Sequence, residues 1–280
     1  MLENHIKQAV QIALTEDLAG KHPDIGDITA NLIAKDHQIS AQIITREECV
    51  LAGAAWVTET FCQLNPDIEL QWHAKDGQAL VANQTIVTLS GNARHILTGE
   101  RTALNFLQSL SGTATVVAEY VKELEGTKTK LLDTRKTIPS MRLAQKYAVT
   151  CGGGQNHRVG LFDAYLIKEN HIMACGSIQA AIDKAREHND KLPIEVEVES
   201  IEELQQAIQA KADIVMLDNF NLAMVAKAVE VNKGQCKLEV SGNITKGRLR
   251  ELANAGVDFI SSGALTKHVQ AIDLSLRLMA

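Results

Sequence analysis

The sequence predicts an α/β protein in two parts: a first region mixing helix with antiparallel strands, then a run of parallel βαβ units. Two observations carry this. After residue 128 six short apolar runs, TKLLD, AYLI, IEVEV, DIVML, KLEVS and VDFIS, recur every ~20–33 residues with helical stretches between them, and their lack of polar alternation marks strands covered on both faces. Before residue 93 the strand-like runs alternate instead, with turn residues close between them.

Along the chain, Ile6, Val10, Ala13 and Leu14 fall at helical spacing within residues 3–18, and GKHPDIGDIT then reads as a loop. From Gln38 the residues Ile39, Ala41 and Ile43 alternate as one face of a strand, followed by a helical AAWVTETFCQL. IELQWHAKDGQAL and TIVTLSG complete the antiparallel part, with Asp76-Gly77 as a turn signal. A long helix is expected from about Ala93 to Leu124, interrupted near Ser111-Gly112, where the domain transition is placed. The expected domains are therefore 1–112 and 113–280, the last residues being free to return to the first part.

Each of the six later runs ends in polar side chains: Asp133, Arg135 and Lys136; Lys168, Glu169 and Asn170; Glu197 and Glu199; Asp218 and Asn219; Ser241, Gly242 and Asn243; Ser261, Ser262 and Gly263. An open sheet spreads its strand ends along a line, whereas a barrel gathers them around one mouth. Six polar ends favour the barrel, although exposed loops are polar in any fold.

Composition narrows the function. The 280 residues carry 28 Lys plus Arg against 34 Asp plus Glu, a formal charge of −6, so no global positive field draws in nucleic acid or an anionic membrane. Aromatic residues at 4% give little material for stacking on single-stranded nucleic acid. No apolar run reaches membrane length, and MLENHIKQAVQIALTEDL is amphipathic and acidic, so the expectation is a cytoplasmic protein. Cys49, Cys62, Cys151, Cys175 and Cys236 are odd in number and form no CxxC pair, which speaks against a disulfide framework or structural zinc.

The charge is unevenly placed. Residues 131–171 hold Arg135, Lys136, Arg142, Lys146, Arg158 and Lys168 against Asp133, Asp163 and Glu169, a net +3 that leaves −9 on the rest. A basic cluster on strand ends fits a small polyanion in a pocket; for Arg142 and Lys146 a solvated helix face explains it equally. In CGGGQNHRVGLFD, Gly152, Gly153 and Gly154 offer either amides for close approach to an anion or a plain helix stop, with His157 and Arg158 favouring a site. No dinucleotide or P-loop fingerprint follows a strand. VSGNIT and ISSGALT place Ser-Gly and a helix start after the last two strands, the usual phosphate pocket of barrels, or else ordinary caps with Asn243, Thr245 or Thr266. Glu195, Glu197 and Glu199 alternate, and carboxylates beside a polyanion call for a cation such as Mg²⁺, a surface or salt-bridged role being the simpler one for Glu195 and Glu199. Arg101 in GERTALN reads as an ordinary helix arginine.

The segments TEDL…GDIT, GERTALNFLQSLSGTAT, LLDTRKTIPSMRLAQKYAVTCGGGQNHRVGLFDAYLIKENHI, IEVEVES, VMLDN, LEVSGNIT and GVDFISSGALT resemble, in order and over nearly the whole chain, the quinolinate phosphoribosyltransferases. The resemblance implies an N-terminal α/β sandwich joined to an open TIM-like α/β barrel. It implies transfer of phosphoribose from phosphoribosyl pyrophosphate to quinolinate with loss of CO₂, giving nicotinate mononucleotide for NAD synthesis. By the same resemblance Thr134, Arg135, Lys136, His157, Arg158 and Lys168 form the cradle for the quinolinate carboxylates and the pyrophosphate, and Arg101 reaches the neighbouring site of a homodimer or an assembly of dimers. Glu197 and Asp218 lie near the ribose and Mg²⁺, held directly or through water, and Ser241, Gly242, Asn243, Ser262, Gly263 and Ala264 form the phosphate loops. Lys136, Lys168, Glu197 and Asp218 take the catalytic roles. LAGKHPDIGDIT is longer than the compact form of many members. The competing readings are a molybdenum-transport-associated paralogue, a Schiff-base aldolase using Lys168, and a non-catalytic phosphosugar-binding regulator.

Overall fold

The structure, a computed structural model, describes residues 1–242 and 244–279. Five strands precede the longest helix: β1 (Gln38–Thr45), β2 (Cys49–Val50), β3 (Glu69–Trp72), β4 (Ala79–Leu80) and β5 (Thr85–Asn92). Six follow it: β6 (Lys130–Leu132), β7 (Tyr165–Ile167), β8 (Ile194–Val198), β9 (Ile214–Asp218), β10 (Lys237–Ser241) and β11 (Phe259–Ser261), and β12 (Leu274–Leu278) comes last. The chain divides into two compact units. The first takes in Met1–Ala118, Ile138–Gly153 and the residues from His268 onward; the second takes in Glu119–Thr137 and Gly154–Lys267.

In the first unit four antiparallel strands run in the order β12-β1-β5-β3, with β2 and β4 paired separately. The alternation read from Gln38 is real: Ala41 and Ile43 are buried and pack with Val87 and Leu89 of β5, Phe61 of helix Ala54–Leu64, and Leu104 and Leu107 of helix Ala93–Glu123. This is a sheet with helices laid on it, stabilised by burial of its apolar face. Gly77 makes the expected turn at φ +83°, and Asp76 beside it accepts the Gly53 and Ala54 amides at 3.2 Å, giving helix Ala54–Leu64 the anionic N-terminal partner its own sequence lacks.

The long helix is not interrupted. It runs through Ser111-Gly112, because both residues serve packing across the unit: Ser111 Oγ accepts the Ala52 amide at 3.0 Å and donates to the Ala52 carbonyl at 3.2 Å. A Cβ on Gly112 would lie 2.0 Å from the Gln270 carbonyl oxygen, so this glycine is a close-approach point and not a helix stop. Helix Arg142–Cys151 departs from expectation as well: Lys146 is buried at 2% exposure in a helix that inserts Ala144 and Ala148 into the core, so its face is not solvated.

In the second unit all six predicted strands form, and every pairing is parallel, in the order β6-β11-β10-β9-β8-β7. The first strand beside the last is the closure of a barrel, and the strands β7 to β11 follow in sequence around it. Among the described residues the one junction without a ladder is that between β6 and β7. There the chain at Gln155 lies along β6, its amide donating to the Leu131 carbonyl at 2.8 Å and its carbonyl accepting from the Asp133 amide at 3.1 Å. The unit is an open α/β barrel.

Gly112→Ala separates the two roles of that glycine. In an exposed helix the change would stabilise by about 1 kcal/mol, whereas overpacking against Gln270 should destabilise by about 1–3 kcal/mol, read as a lower thermal midpoint.

Candidate active site

The mouth of the barrel encloses a cavity of about 450 Å³, and its walls are the strand ends: Thr134, Arg135 and Lys136 after β6, Lys168 after β7, Glu197 on β8, Asp218 on β9, Ser241 on β10 and Ser261 on β11. His157 and Arg158 enter from the chain that occupies the open junction, and Leu166, Met216 and Glu239 complete the lining. A parallel strand sends alternate side chains to one face. Pairs two apart, Glu195 and Glu197, Met216 and Asp218, Glu239 and Ser241, therefore point inward together, with Glu197, Met216 and Glu239 in register across β8, β9 and β10.

The basic wall is built on local hydrogen bonds. Thr134 Oγ1 accepts the Lys136 amide at 3.0 Å, and the Lys136 carbonyl accepts from Thr266 Oγ1 at 2.8 Å. Thr266 is thus a buried tie to the β6 loop and not a helix cap. A Cβ on Gly263 would come within 2.7 Å of the Lys136 side chain, so the glycine leaves room for that lysine. Asp133, fully buried, accepts the His157 amide at 2.8 Å and so fixes where His157 and Arg158 enter. The Arg158 guanidinium is less readily charged than usual, through burial first and then the like charge of Arg135. The Nε atoms of both arginines are buried without a hydrogen-bond acceptor. Two adjacent cations with unanswered donors describe an anion site.

Across the cavity, Lys168 is ion-paired with Glu197. The Asp218 carboxyl is raised above its ordinary value by burial and by the charge of Glu197, against the pull of Lys168 and Lys136. Two carboxylates on neighbouring strand ends offer hard oxygen ligands suited to a divalent cation. Asn219 takes φ +56° after β9, and Gly242 takes φ +89° with its α-carbon so close that a Cβ would meet the Asn219 side chain at 2.3 Å. The turn after β10 thus requires glycine. In the next turn Ser262 Oγ accepts the Ala264 amide at 3.3 Å. Asn243 lies outside the described residues.

Beneath these groups lies a cluster that the strand-end reading did not single out. His157 Nε2 is 2.8 Å from Glu195 Oε2 and 3.6 Å from Glu239 Oε2, with both carboxyls nearly inaccessible to solvent. Burial opposes charge on His157, but Glu195 and Glu239 outweigh it and the balance lies above the ordinary imidazole value. Burial, and then the charge of Glu195, push Glu239 far above the carboxylate range. Its signal in the sequence is a lone acidic residue inside the apolar run KLEVS, two places before Ser241. Glu195 is the salt-bridged residue expected, and Glu199 is exposed.

Of the other expected residues, Arg101 belongs to the first unit, on the exposed side of its helix, as does the half-buried Arg142. The triple glycine does not line the cavity. A Cβ on Gly152 would lie 2.4 Å from the Ala114 carbonyl oxygen, and Gly153 takes φ +86°, so these residues end a helix against another.

Residues 27–111 match the family described as quinolinate phosphoribosyl transferase, N-terminal domain, and residues 113–277 match its C-terminal domain. A protein of Bacillus subtilis named probable nicotinate-nucleotide pyrophosphorylase [carboxylating] is 42% identical over 252 residues, covering 90% of this chain and 87% of that one. Quinolinate phosphoribosyltransferase [decarboxylating] 2, mitochondrial, of Nicotiana glauca is 37% identical over 98% of this chain and 82% of its own. The solved nicotinate-nucleotide pyrophosphorylase of Francisella tularensis superposes with a TM-score of 0.93 at 53% identity, covering 99% of this chain and 97% of that one.

Glu239 gives a pH test of the buried cluster. Because its folded pKa is raised above the ordinary 4.5, the stability it lends is complete below 4.5 and is lost as the pH climbs through the raised value. Glu239→Gln, uncharged at every pH, should therefore melt increasingly above the wild type as the pH is taken from mildly acid to alkaline.

Proposed function

The chain belongs to the quinolinate phosphoribosyltransferase family, and we propose that it transfers phosphoribose from phosphoribosyl pyrophosphate to quinolinate with decarboxylation, releasing nicotinate mononucleotide, pyrophosphate and CO₂. The observation that carries this reading is the pair of buried, acceptor-less guanidinium nitrogens of Arg135 and Arg158 in the same cavity as the Glu197 and Asp218 carboxylates. One wall answers a dianionic pyridine and the other a metal-bound pyrophosphate sugar.

Arg135 and Arg158 bind the quinolinate carboxylates, with His157 at the floor, and turn the ring nitrogen towards C1 of the ribose. Holding two reactants in line contributes about 7–11 kcal/mol to lowering a barrier. As the C1–O bond to pyrophosphate breaks, positive charge grows on the ribose and negative charge on the leaving group. Glu197 and Asp218 favour the first; Lys136, Lys168 and the amides near Ser241, Gly242, Ser262, Gly263 and Ala264 answer the second. The donor set of Glu197 and Asp218 fits Mg²⁺, which when bound neutralises the pyrophosphate oxygens. Once nitrogen is ribosylated, the positive ring stabilises the electron pair left at C2 as the C2–CO₂ bond breaks, and C2 then takes a proton from water to give nicotinate mononucleotide. Lys168 is half-exposed and ion-paired with Glu197, so its amine is engaged by a carboxylate and not set in the dry, apolar pocket that activates a Schiff-base lysine.

The site is completed by a second subunit in this reading, with Arg101 reaching across a homodimer or an assembly of dimers. A cytoplasmic setting is favoured by five free cysteines and by the absence, among the described residues, of any helix long and apolar enough to cross a membrane.

Incubation with quinolinate, phosphoribosyl pyrophosphate and Mg²⁺ should give nicotinate mononucleotide and CO₂, and chelation should stop it; no product, with nicotinate also inert, would sink the reading. Arg135→Ala and Arg158→Ala should each raise KM for quinolinate by about 10–100-fold, the loss of a charge-assisted hydrogen bond. If Arg101 acts across the interface, inactive Arg101→Ala and Lys136→Ala proteins should regain about a quarter of wild-type activity when their subunits are exchanged, since half of the sites in mixed dimers are intact.

A further inference from the structure

His157 meets two carboxyl groups where one would suffice. Its Nδ1 accepts the Arg158 amide at 2.8 Å, which leaves the ring proton on Nε2, the nitrogen that faces Glu195 Oε2 at 2.8 Å and Glu239 Oε2 at 3.6 Å. This donor arrangement argues against a metal at the three groups, although they are close enough to hold one, because a ligating nitrogen cannot also carry the proton. Two ionised carboxylates this deep would be compensated only in part: Oε1 of each is buried without a hydrogen bond of ordinary geometry, and the Ser261 hydroxyl beside Glu239, which favours its ionised form, is outweighed by burial and by Glu195. Glu195 stands behind His157, whereas Glu239 lines the cavity itself. A free negative charge there would repel a dianionic acceptor in the same cavity whose arginines attract it.

We infer that Glu239 is a positioning residue of the acceptor pocket: as an uncharged acid it packs against the Nε2 edge of His157 that Glu195 holds, so that the floor meets the anionic acceptor with His157 and a neutral carboxyl group. The inference rests on the phosphoribosyl-transfer reading for its consequence, but its geometry is testable without turnover. Burial of Glu239 beside Glu195 favours the uncharged form. The Arg158 amide limits how far His157 can follow the carboxylates in taking a second proton, since protonation at Nδ1 would set two N–H groups against each other and turn the ring.

Three variants of the full chain test it. Glu239→Gln keeps shape and neutrality and should leave KM for quinolinate within about twofold, whereas Glu239→Ala, which opens a void beside His157, should raise it about tenfold with KM for phosphoribosyl pyrophosphate little changed. In ¹⁵N-histidine-labelled protein, the ring resonances that vanish in His157→Asn should lose the Nδ1 proton and keep the Nε2 proton as the pH is taken up through the raised imidazole value, in the wild type and in Glu239→Gln alike. A Glu239→Gln protein as impaired as Glu239→Ala would mean that the charge is needed, and a neutral His157 ring that keeps its proton on Nδ1 would mean that the floor is built otherwise; either overturns the inference. Wild-type protein that yields no nicotinate mononucleotide, yet shows the expected ring resonances, would overturn the functional reading and leave the geometry standing.

Discussion

The mutual repulsion of Arg135 and Arg158 is the constraint around which the second unit is organised. Each guanidinium is partly buried, each has a buried donor without an acceptor, and the charge of Arg135 makes that of Arg158 harder to keep. Such a pair is stable only on a scaffold that fixes both residues independently. Arg135 is held by the β6 loop, whose lysine neighbour is tied through its carbonyl to Thr266 and through its amide to Thr134. Arg158 is held by the preceding residue, anchored at its amide by buried Asp133 and at its ring by Glu195. The fold does not relax the repulsion; it leaves it for an anion to answer.

The acidic groups follow from the same arrangement. On a two-residue period, Glu195 and Glu197 share one face of β8 but meet different surroundings: Glu195 is buried against His157, and Glu197 reaches Lys168 near the rim. Depth therefore sorts chemically identical side chains into a buried anchor and a candidate ligand of the cation, and β10 repeats the pattern with Glu239 below and Ser241 above. A net charge of −6 is compatible with two anionic substrates because the excess negative charge lies elsewhere in the chain or is paired at the site.

Strands are legible because the six runs are short, rich in Val, Ile and Leu and separated by helical stretches, and their polar ends mark most of the cavity wall. What escaped was set by contacts between residues far apart in sequence. Gly112 reads as a helix breaker until the carbonyl of Gln270 is seen against it, and the triple glycine reads as an anion loop until Gly152 is seen against Ala114. Lys146 carries a charge that periodicity assigns to solvent, yet its helix is covered. Glu239 lies inside a strand, where the polar residues that follow strands give no sign of it, whereas a barrel also presents its strand interiors to the cavity floor. For Arg101 the helix pattern gives no role at all; only the resemblance of the surrounding segment did.

The open junction ties topology to chemistry. A closed barrel would place a ladder between β6 and β7, with backbone groups bonded to each other and no side chain of the connecting loop inside. Here the chain at Gln155 makes two backbone bonds to β6 and then leaves the strand direction, so that the next residues turn into the mouth. Those residues are His157 and Arg158, on which both the anion site and the buried carboxyl pair depend. The junction gives up part of a sheet ladder, a modest loss since each net hydrogen bond contributes about 1 kcal/mol. In return the barrel admits a loop between its strands, which a fully closed sheet of this size, its interior filled by strand side chains, has no room to do. The acceptor pocket is thus a consequence of the incomplete closure, and an enzyme of this design needs the opening as much as it needs the strands.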